Sequence, residues 1–430
     1  MEAGPMGANT VAQTRRIMSN ISTLAEVKNL TSPHIISGAI SKWPASEWTP
    51  ELIAAKLNGK KIQFRIGKRS HSQDVQWEAN CHYVMARMND FIEWDDDDRI
   101  LSETNPLSPY GKAEYWAYAD YKYFTELFDE LPEIQKDVNW ETFGFEGRDG
   151  KSSTFWLGSR GAYTPCHQDT YGCNFVAQIY GRKRWILFPP EQTCFMYPTR
   201  LPFEESSIFS RVNVKQPHKK FRNFRKTTPS VVTLEPGQVL FVPRHWWHHV
   251  ESLETSISVN SWIELPEDDE SRLHEALSRL IITSLMETDS TIELDDWLNP
   301  TEDVQPYKVN LRYVNSAACA YRNSRVHQTP ANNNCGRLKK QKTSDSPHSS
   351  PTNWTVNTAK SMPFEQYLQT FVEMDSLAHV ESDLANTDAD DADSRTVSTA
   401  AIVRALTNPR IIRQISDLII NEFESPVLVE

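Results

Sequence analysis

The sequence lacks several features that mark common functional classes. Its 6 cysteines include no C-x-x-C pair, so a zinc cluster is unsupported and reduced thiols are expected. No stretch approaches the ~18 apolar residues of a membrane span, and the N-terminus has no apolar signal region. A net charge of -12 argues against a nucleic-acid groove, which needs concentrated Lys and Arg. These absences predict a cytoplasmic protein, with the nucleus as the alternative, that binds neither membranes nor nucleic acid.

Glycine is scarce, whereas tryptophan is abundant. The chain has 15 Gly and 13 Trp, and all Trp except one lie at or before Trp297. Because large aromatic side chains are typical of folded cores, the folded body is expected in roughly the first 70% of the chain. The acidic run from Asp383 to Asp393 lies beyond it and is interpreted as a solvated loop.

The N-terminal part mixes helix and strand signals. Thr49 predicts the N-cap of a short helix that ends at Asn58-Gly59, and the alternating apolar residues of 62–66 predict a strand. The aromatic-rich stretch from Lys112 to Phe128 predicts a helix that is buried on two faces. Residues 1–30 predict a flexible arm.

From Ser152 to Leu265 the pattern changes to short apolar runs separated by Gly, Pro and charged turns. Gly181-Arg182 predicts a tight hairpin, and Pro236-Gly237 predicts the centre of a type II turn. This spacing is typical of a sandwich or barrel built of hairpins.

The residues after Pro266 predict a different organisation. Periodic Leu and Ile residues between 271 and 286 indicate an amphipathic helix, and a later polar and acidic segment indicates disorder. The predicted division is a flexible arm (1–30), a folded body (31–265, with its β core at about 152–265), a helical extension (266–324), a disordered insert (325–400) and a C-terminal helix (401–430).

One short motif supplies candidate metal ligands. His167 and Asp169 are two residues apart, and on a strand such residues point to the same face, so both could bind one ion. A third ligand is expected from the end of a later strand, where His245, His248 and His249 compete. Two His and one carboxylate on one face of a metal, with the opposite face open, suit Fe(II) and dioxygen.

Lys183 follows the Gly181 turn and lies among apolar residues. If its ammonium group points inward, it needs an anionic partner, which a dicarboxylate cosubstrate would supply. With Arg182 and Arg184 it could equally form an exposed basic turn. The pattern leaves both interpretations open.

Taken in order, these motifs resemble the JmjC family of cupin-fold oxygenases. The resemblance covers about residues 31–265 and rests on Thr164, His167-x-Asp169, Asn174, Lys183, LFPP at 187–190, Pro236-Gly237, WWHH at 246–249 and VNSW at 259–262. It implies a mainly β fold with flanking helices: a cupin-type double-stranded β-helix (jelly roll) with an N-terminal α/β lead-in and C-terminal helices. It also implies Fe(II) as cofactor, with 2-oxoglutarate and O2 as cosubstrates.

The resemblance implies a role for each matching residue. His167, Asp169 and His248 would hold the iron and so be the catalytic residues. Lys183 would pair with the distal carboxylate of 2-oxoglutarate, and Thr164 would hydrogen-bond to it. Asn174 and Asn260 would line the cosubstrate and metal pocket. Tyr118 would also line it and would reach the distal carboxylate of 2-oxoglutarate.

The most similar branch of the family is asparaginyl-hydroxylase-like, which implies a protein hydroxylase. The loop from Asp169 to Asn174 is one residue longer than in that branch, so the identity of the substrate residue does not transfer. Motifs such as GRKRW, together with the later helices, also resemble a family member that associates with a small heat-shock protein. This implies such a partner, a cytoplasmic location and a part in the stress response.

Two other functions are compatible with the sequence. The chain could be a catalytically silent binding protein for a small heat-shock protein, because its C-terminal helices are not needed for the chemistry. Those helices could instead form a homodimer. A histone lysine demethylase ranks lower, because the acidic chain offers no basic face for nucleosomal DNA.

Overall fold

The protein is built on two packed β-sheets with helices around them. The computed structural model describes residues 22–69, 72–288, 292, 294–328, 354–375 and 397–424. The strands in this part of the chain are β1 (His34–Ser37), β2 (Lys61–Lys68), β3 (His82–Arg87), β4 (Tyr115–Tyr123), β5 (Thr154–Gly158), β6 (Tyr163–Asp169), β7 (Cys173–Tyr180), β8 (Lys183–Phe188), β9 (Pro198–Glu204), β10 (Ser207–Ser210), β11 (Ser230–Leu234), β12 (Gln238–Val242), β13 (Trp247–Ser252), β14 (Ser256–Ile263) and β15 (Thr355–Thr358).

The helices flank the sheets and dominate the C-terminal part. The α-helices are α1 (Pro50–Leu57), α2 (Met88–Asp95), α3 (Phe124–Leu127), α4 (Asp268–Thr288), α5 (Leu294–Trp297), α6 (Tyr307–Gln328), α7 (Phe364–Asp375), α8 (Thr399–Leu406) and α9 (Pro409–Glu424). Short 3-10 helices occupy Leu24–Asn29, Pro44–Glu47, Glu78–Asn80, Ile134–Asp137, Trp140–Phe143, Gly150–Ser152, Pro190–Phe195 and Arg222–Lys226. None of the helices that the structure describes is long and apolar enough to cross a membrane.

The sheet topology is that of a double-stranded β-helix. The larger sheet has the order β15-β1-β12-β7-β14-β5-β4-β2-β3, and the smaller sheet has the order β11-β8-β13-β6-β10-β9. From β5 to β8 and again from β11 to β14, each strand lies in the opposite sheet from the one before it. Every connection within these two runs therefore crosses between sheets, as in a jelly roll. The predicted fold class is confirmed.

The Gly181-Arg182 connection shows why local spacing did not reveal this topology. Strand β7 pairs with β12 and β14, whereas β8 pairs with β11 and β13, so the turn joins two sheets. The predicted hairpin is wrong because turn length does not specify a strand's partner. Gly181 has φ +59, and an added Cβ would lie 2.1 Å from the Thr255 carbonyl oxygen, so the turn requires glycine.

The N-terminal helix forms as predicted, but the aromatic stretch does not. The Thr49 side chain accepts a hydrogen bond from the Leu52 amide, and Asn58 is left-handed at the end of α1. Most of the stretch from Lys112 to Phe128 is strand β4, not a helix. Aromatic residues favour strands. Strand β4 lies between β2 and β5, and both of its faces are covered, so aromatic side chains on both faces fit a buried strand.

The arm and the insert contain more structure than predicted. Residues Leu24–Asn29 bury Leu24 and Val27 in the main core, so the predicted arm is too long. Within the predicted disordered insert, β15 adds to the edge of β1, and α7 packs Tyr367 against the smaller sheet's apolar cluster. Polar composition alone cannot distinguish such an edge strand from a disordered loop. Residues 1–21, 329–353 and 376–396 of the predicted arm and insert lie outside the described residues.

The C-terminal helices form a layer of their own. Helix α4 forms as predicted and packs its Leu273 and Leu277 against α6 and α9. The predicted single terminal helix is two helices, α8 and α9, separated at Thr407-Asn408. Pro409 explains the break, because proline at the first position of a helix cannot continue the hydrogen bonding of a preceding one.

Candidate metal centre and cosubstrate pocket

Three side chains from two neighbouring strands converge between the sheets. His167 and Asp169 lie on β6, and His248 on β13 is the direct cross-strand neighbour of His167. Asp169 Oδ1 lies 3.6 Å from His167 Nε2 and 4.0 Å from His248 Nε2. Because ligand atoms sit about 2 Å from a bound transition metal, this spacing allows one ion to contact all three residues.

Both imidazoles are oriented by a carbonyl two residues earlier in the chain. Nδ1 of His167 lies 2.8 Å from the Pro165 oxygen, and Nδ1 of His248 lies 2.9 Å from the Trp246 oxygen. A ring that donates through Nδ1–H leaves the Nε2 lone pair free for a metal. Burial, with the nearby His248, lowers the pKa of His167 to about 4, so this ring is neutral near pH 7. A neutral imidazole is the form that binds metals.

The structure shows which of His245, His248 and His249 lies beside His167 and Asp169. Neighbouring residues on a strand face opposite sides, so His249 points away from His248 and packs on Tyr163, with ring centroids 5.4 Å apart. His245 precedes β13, and its Nε2 lies 2.7 Å from the Thr170 carbonyl oxygen. His248 alone of the three joins the group with His167 and Asp169.

The donor set and its surroundings fit Fe(II). All three ligands line a cavity of ≈ 670 Å³, so one side of the group is open to a cosubstrate and a substrate. The donors are two imidazole nitrogens and a carboxylate, and Cys166 beside His167 packs into an apolar cluster instead. Such a set with open positions is typical of Fe(II) oxygenases and unlike a closed structural zinc site.

Trp262 is a positioning residue that the sequence prediction missed. Its Nε1 donates to Asp169 Oδ2 at 3.1 Å, which leaves Oδ1 facing the two histidines. Trp262 and Asn260 are two residues apart on β14, so their side chains lie on the same face of the strand. The placement of Asn260 in the pocket therefore also indicates that Trp262 points inward.

Replacing Trp262 with Phe is expected to weaken metal binding about 10–100-fold, the usual effect of removing a hydrogen-bond partner of a metal ligand. Titration of the purified protein with Mn(II) measures this. Trp246→Phe is the matched control, because its indole donates to the Thr31 carbonyl instead. Equal Mn(II) affinities for both variants would contradict the role of Trp262.

Lys183 points into the same cavity. It is 2% exposed, and its Nζ donates to Ser258 Oγ at 2.8 Å and to the Tyr118 hydroxyl at 3.3 Å. Its neighbour Arg182, by contrast, has a 48% exposed side chain that pairs with Glu254. Lys183 therefore does not belong to an exposed basic turn. Burial lowers the pKa of Lys183 to about 7, partly opposed by Asp120.

The remaining predicted residues complete the cavity wall. Thr164 lines the cavity together with Tyr118, and a register shift between β6 and β13 allows Thr164 and His167, three residues apart, to face the same side. Asn260 Nδ2 donates to Asn174 Oδ1 at 2.9 Å. The structure brings all eight predicted site residues to one cavity: Tyr118, Thr164, His167, Asp169, Asn174, Lys183, His248 and Asn260. Ser258, a partner of Lys183, was missed.

The pKa of Lys183 predicts how pH affects the binding of a dicarboxylate. Such an anion binds the protonated amine, which predominates at pH 6 and is about one tenth of the population at pH 8. The affinity for 2-oxoglutarate is therefore expected to fall about tenfold from pH 6 to pH 8. Calorimetry with Mn(II)-loaded protein measures it, and Lys183→Met should remove most of the dependence. A flat profile for the unaltered chain would contradict this assignment.

The fold and the His-Asp-His group together define a JmjC-type cupin protein. Residues 21–269, more than half of the chain, match the Cupin-like domain family, and the chain belongs to that family. Among individual proteins, it is 48% identical over 298 residues to "HSPB1-associated protein 1" of Homo sapiens, an alignment that covers 69% of this chain and 61% of that protein. It is 49% identical over 296 residues to the "HSPB1-associated protein 1 homolog" of Danio rerio, covering 68% and 65%.

At lower sequence identity, the chain is also similar to proteins named as lysine-specific demethylases. The chain is 29% identical over 237 residues to "Lysine-specific demethylase 8" of Xenopus tropicalis, covering 54% of this chain and 47% of that protein. The chain thus spans about three fifths of the length of its more similar relatives. Activities and partners of those whole proteins do not pass directly to it.

Proposed function

We propose that the chain is an Fe(II)- and 2-oxoglutarate-dependent protein hydroxylase. The observation that carries this proposal is one cavity with two kinds of binding group. A His-Asp-His group can hold the metal, and a buried lysine can pair with a dicarboxylate. A buried cation without an anionic partner is costly, and the dicarboxylate would supply that partner.

Each part of the cavity has a separate task. When bound, iron and 2-oxoglutarate supply dioxygen activation, with release of succinate and CO2 and transfer of one oxygen atom to the substrate. His167, Asp169 and His248 hold the iron, and Trp262 holds the Asp169 carboxylate in place. Lys183 neutralises the distal carboxylate.

The cosubstrate end of the cavity is completed by neutral groups. The hydroxyls of Tyr118, Thr164 and Ser258 can donate to the same carboxylate as Lys183. Burial raises the pKa of Tyr118 well above its usual range, so its hydroxyl keeps its proton. Trp185 and Val250 form an apolar wall that limits the access of water.

A mass-spectrometric search tests the proposal on proteins that co-purify with the chain. We expect a 2-oxoglutarate-dependent gain of one oxygen atom on at least one protein side chain with the unaltered chain. The Asp169→Ala variant should not produce it. The same modification with both forms of the protein would contradict the proposal.

We also propose that the chain associates with a small heat-shock protein, as the names of its 48% identical relatives indicate for them. Helices α8 and α9 offer exposed apolar side chains for such a contact, including Leu418, which is 69% exposed. Deleting residues 325–430 would also remove β15 and α7 from the body, so a point variant is the cleaner test.

Leu418→Asp is expected to weaken binding to purified HSPB1 in a biosensor assay, while Asp169→Ala leaves it unchanged. Light scattering of the chain alone, without HSPB1, tests for a homodimer formed through these helices. Such a dimer would dissociate in the Leu418→Asp variant. Unchanged HSPB1 binding by Leu418→Asp would exclude this surface. HSPB1 binding without any turnover would favour the catalytically silent alternative.

Histone lysine demethylation is a lower-ranked proposal. It is supported by the distant relatives named as lysine-specific demethylases. Formaldehyde release from methylated histone peptides would support it, and hydroxylation without formaldehyde would support the hydroxylase. A cytoplasmic location remains a prediction that cell fractionation can test.

A further inference from the structure

One loop of this acidic protein carries charge of only one sign. The chain has a net charge of -12, yet no Asp or Glu occurs from residue 206 to residue 234. Residues 211–226, which we call the basic loop, connect β10 to β11. They contain seven cationic side chains: Arg211, Lys215, Lys219, Lys220, Arg222, Arg225 and Lys226. A surface of one charge sign attracts groups of the opposite sign.

The basic loop is packed onto the smaller sheet by its apolar residues. Four of them are buried in the apolar cluster of that sheet: Val212, Val214, Phe221 and Phe224. Residues three apart on a 3-10 helix lie on the same side, so Arg222 and Arg225 project together, and both are exposed. The loop therefore presents its cations on a packed backbone.

Most cations of the basic loop have no acidic partner. Lys215 pairs with Glu251 at 2.6 Å. The other six are exposed, and none of them forms an ion pair within the part of the chain that the structure describes. Arg404 on α8 adds to this surface, because burial and the nearby Arg211 lower its pKa. The described residues thus leave this surface without a counterion.

A second segment of the chain has the complementary charge. Residues 383–393, which we call the acidic segment, contain no Lys or Arg and five Asp: Asp383, Asp388, Asp390, Asp391 and Asp393. The segment lies outside the described residues. Its five carboxylates nearly match the six exposed cations of the basic loop in number, so the two segments could almost neutralise each other.

The described elements on both sides of the acidic segment lie at the basic loop. Helix α7 precedes the segment. Its Tyr367 hydroxyl donates to the Val214 carbonyl, and its Phe364 ring lies 5.5 Å from the Phe224 ring. Helix α8 follows the segment and carries Arg404. A tether at each end raises the effective concentration of the segment at the loop to the order of millimolar.

From these observations we propose that the acidic segment binds the basic loop of the same chain. Exposed ion pairs are individually weak, and the tether compensates by making the contact intramolecular. A nucleic acid fits less well, because Phe221 and Phe224 are buried and cannot stack on bases, and because the net charge of -12 repels a polyanion. The acidic segment is thereby the counterion that the basic loop lacks among the described residues.

Carbodiimide cross-linking tests the contact directly, because it joins only carboxylates and amines that already touch. We expect cross-links from the acidic segment to Lys219, Lys220 or Lys226 of the full chain, identified by mass spectrometry at low salt. Their yield should fall about tenfold in about 0.5 M NaCl, since salt screens exposed charges.

Two controls make a negative result meaningful. The ion pairs Lys215–Glu251 and Lys60–Asp129, each with an N–O distance of 2.6 Å, should cross-link in the same sample. A mixture of isotope-labelled and unlabelled chains separates cross-links within one chain from those between two copies. Control cross-links without any from the acidic segment to the basic loop overturn the proposal. So do cross-links that join the segment only to the other copy, or equally to lysines elsewhere.

A competition experiment provides a second, independent measurement. A fluorescent peptide of residues 381–395 is added to the full chain, and its binding is followed by anisotropy. Replacing the five Asp of the acidic segment by Asn should strengthen peptide binding about tenfold or more, because it removes the tethered competitor. Adding Lys219→Gln, Lys220→Gln and Lys226→Gln to that variant should abolish the gain.

The matched control removes five exposed carboxylates far from the acidic segment in sequence. Its substitutions are Glu51→Gln, Asp98→Asn, Glu103→Gln, Glu130→Gln and Glu133→Gln. Peptide binding to this control should stay as weak as to the unaltered chain, and thermal unfolding verifies that every variant is folded. An equal gain in both five-residue variants, or no gain in either, overturns the proposal. Tight binding of the peptide or of a single-stranded RNA by the unaltered chain also overturns it, because the basic loop would then be free.

Discussion

His167→Ala and Asp169→Ala are each expected to weaken Mn(II) binding by more than about a hundredfold. The reason is that even the partners of metal ligands contribute about 10–100-fold, and each of these changes removes a ligand itself. The remaining two ligands would hold the ion from a narrower angle, with water in the vacant position. Calorimetric titration of metal-free protein gives the affinities.

Two controls make this result specific. His82→Ala removes an exposed histidine of β3 that lies against Tyr110, and it should leave Mn(II) affinity unchanged. Thermal unfolding of the metal-free proteins should show that both site variants remain folded. Similar Mn(II) affinity in Asp169→Ala and in His82→Ala would mean that the ion binds elsewhere.

Lys183→Met is expected to weaken 2-oxoglutarate binding about 10–150-fold, which corresponds to about 1.5–3 kcal/mol for a hydrogen bond to a charged group. Met keeps the apolar length of the side chain and removes the ammonium group. Because burial already lowers the pKa of Lys183, the folded protein should not be destabilised by this change. Displacement of a fluorescent 2-oxoglutarate analogue from Mn(II)-loaded protein measures the affinity.

Arg182→Ala provides the matched control for Lys183. It removes the neighbouring cation, which is exposed and pairs with Glu254. The loss of this exposed, solvent-screened pair should have little effect on stability and leave cosubstrate affinity unchanged. If Arg182→Ala weakened 2-oxoglutarate binding as much as Lys183→Met, general surface charge would explain the effect, and the buried lysine would not.

The metal ligands could be predicted in part because their geometry is local. The alternation of a strand places His167 and Asp169 on one face wherever the strand lies. The choice among His245, His248 and His249 depends on the register of β13 against β6, which is set by contacts 81 residues apart in the chain. Motif resemblance chose His248, and residue spacing alone could not.

The orientation of Lys183 was undecidable for a similar reason. A lysine after a tight turn is inward or outward depending on which sheet its strand joins, and the Gly181 turn crosses between sheets. Trp262 and Ser258 were missed because their roles depend on neighbours distant in sequence. Tyr118 lies in a stretch whose aromatic residues predicted a helix, whereas pairing on both edges makes it a strand.

The edge strand β15 could not be predicted from the amino-acid composition of its segment. Its four residues include Thr and Asn and follow a long polar segment, so nothing local marks them as part of a sheet. They are held by pairing with β1, whose other edge pairs with β12 of the jelly roll. Tertiary contacts of this kind cannot be read from a polar sequence.

The most direct test of the account is succinate formation from 2-oxoglutarate by the iron-loaded chain. The account predicts succinate with the unaltered protein and Fe(II), with turnover lost in both His167→Ala and Asp169→Ala and retained in His82→Ala. Turnover that survives both site substitutions would contradict the assignment of the metal centre.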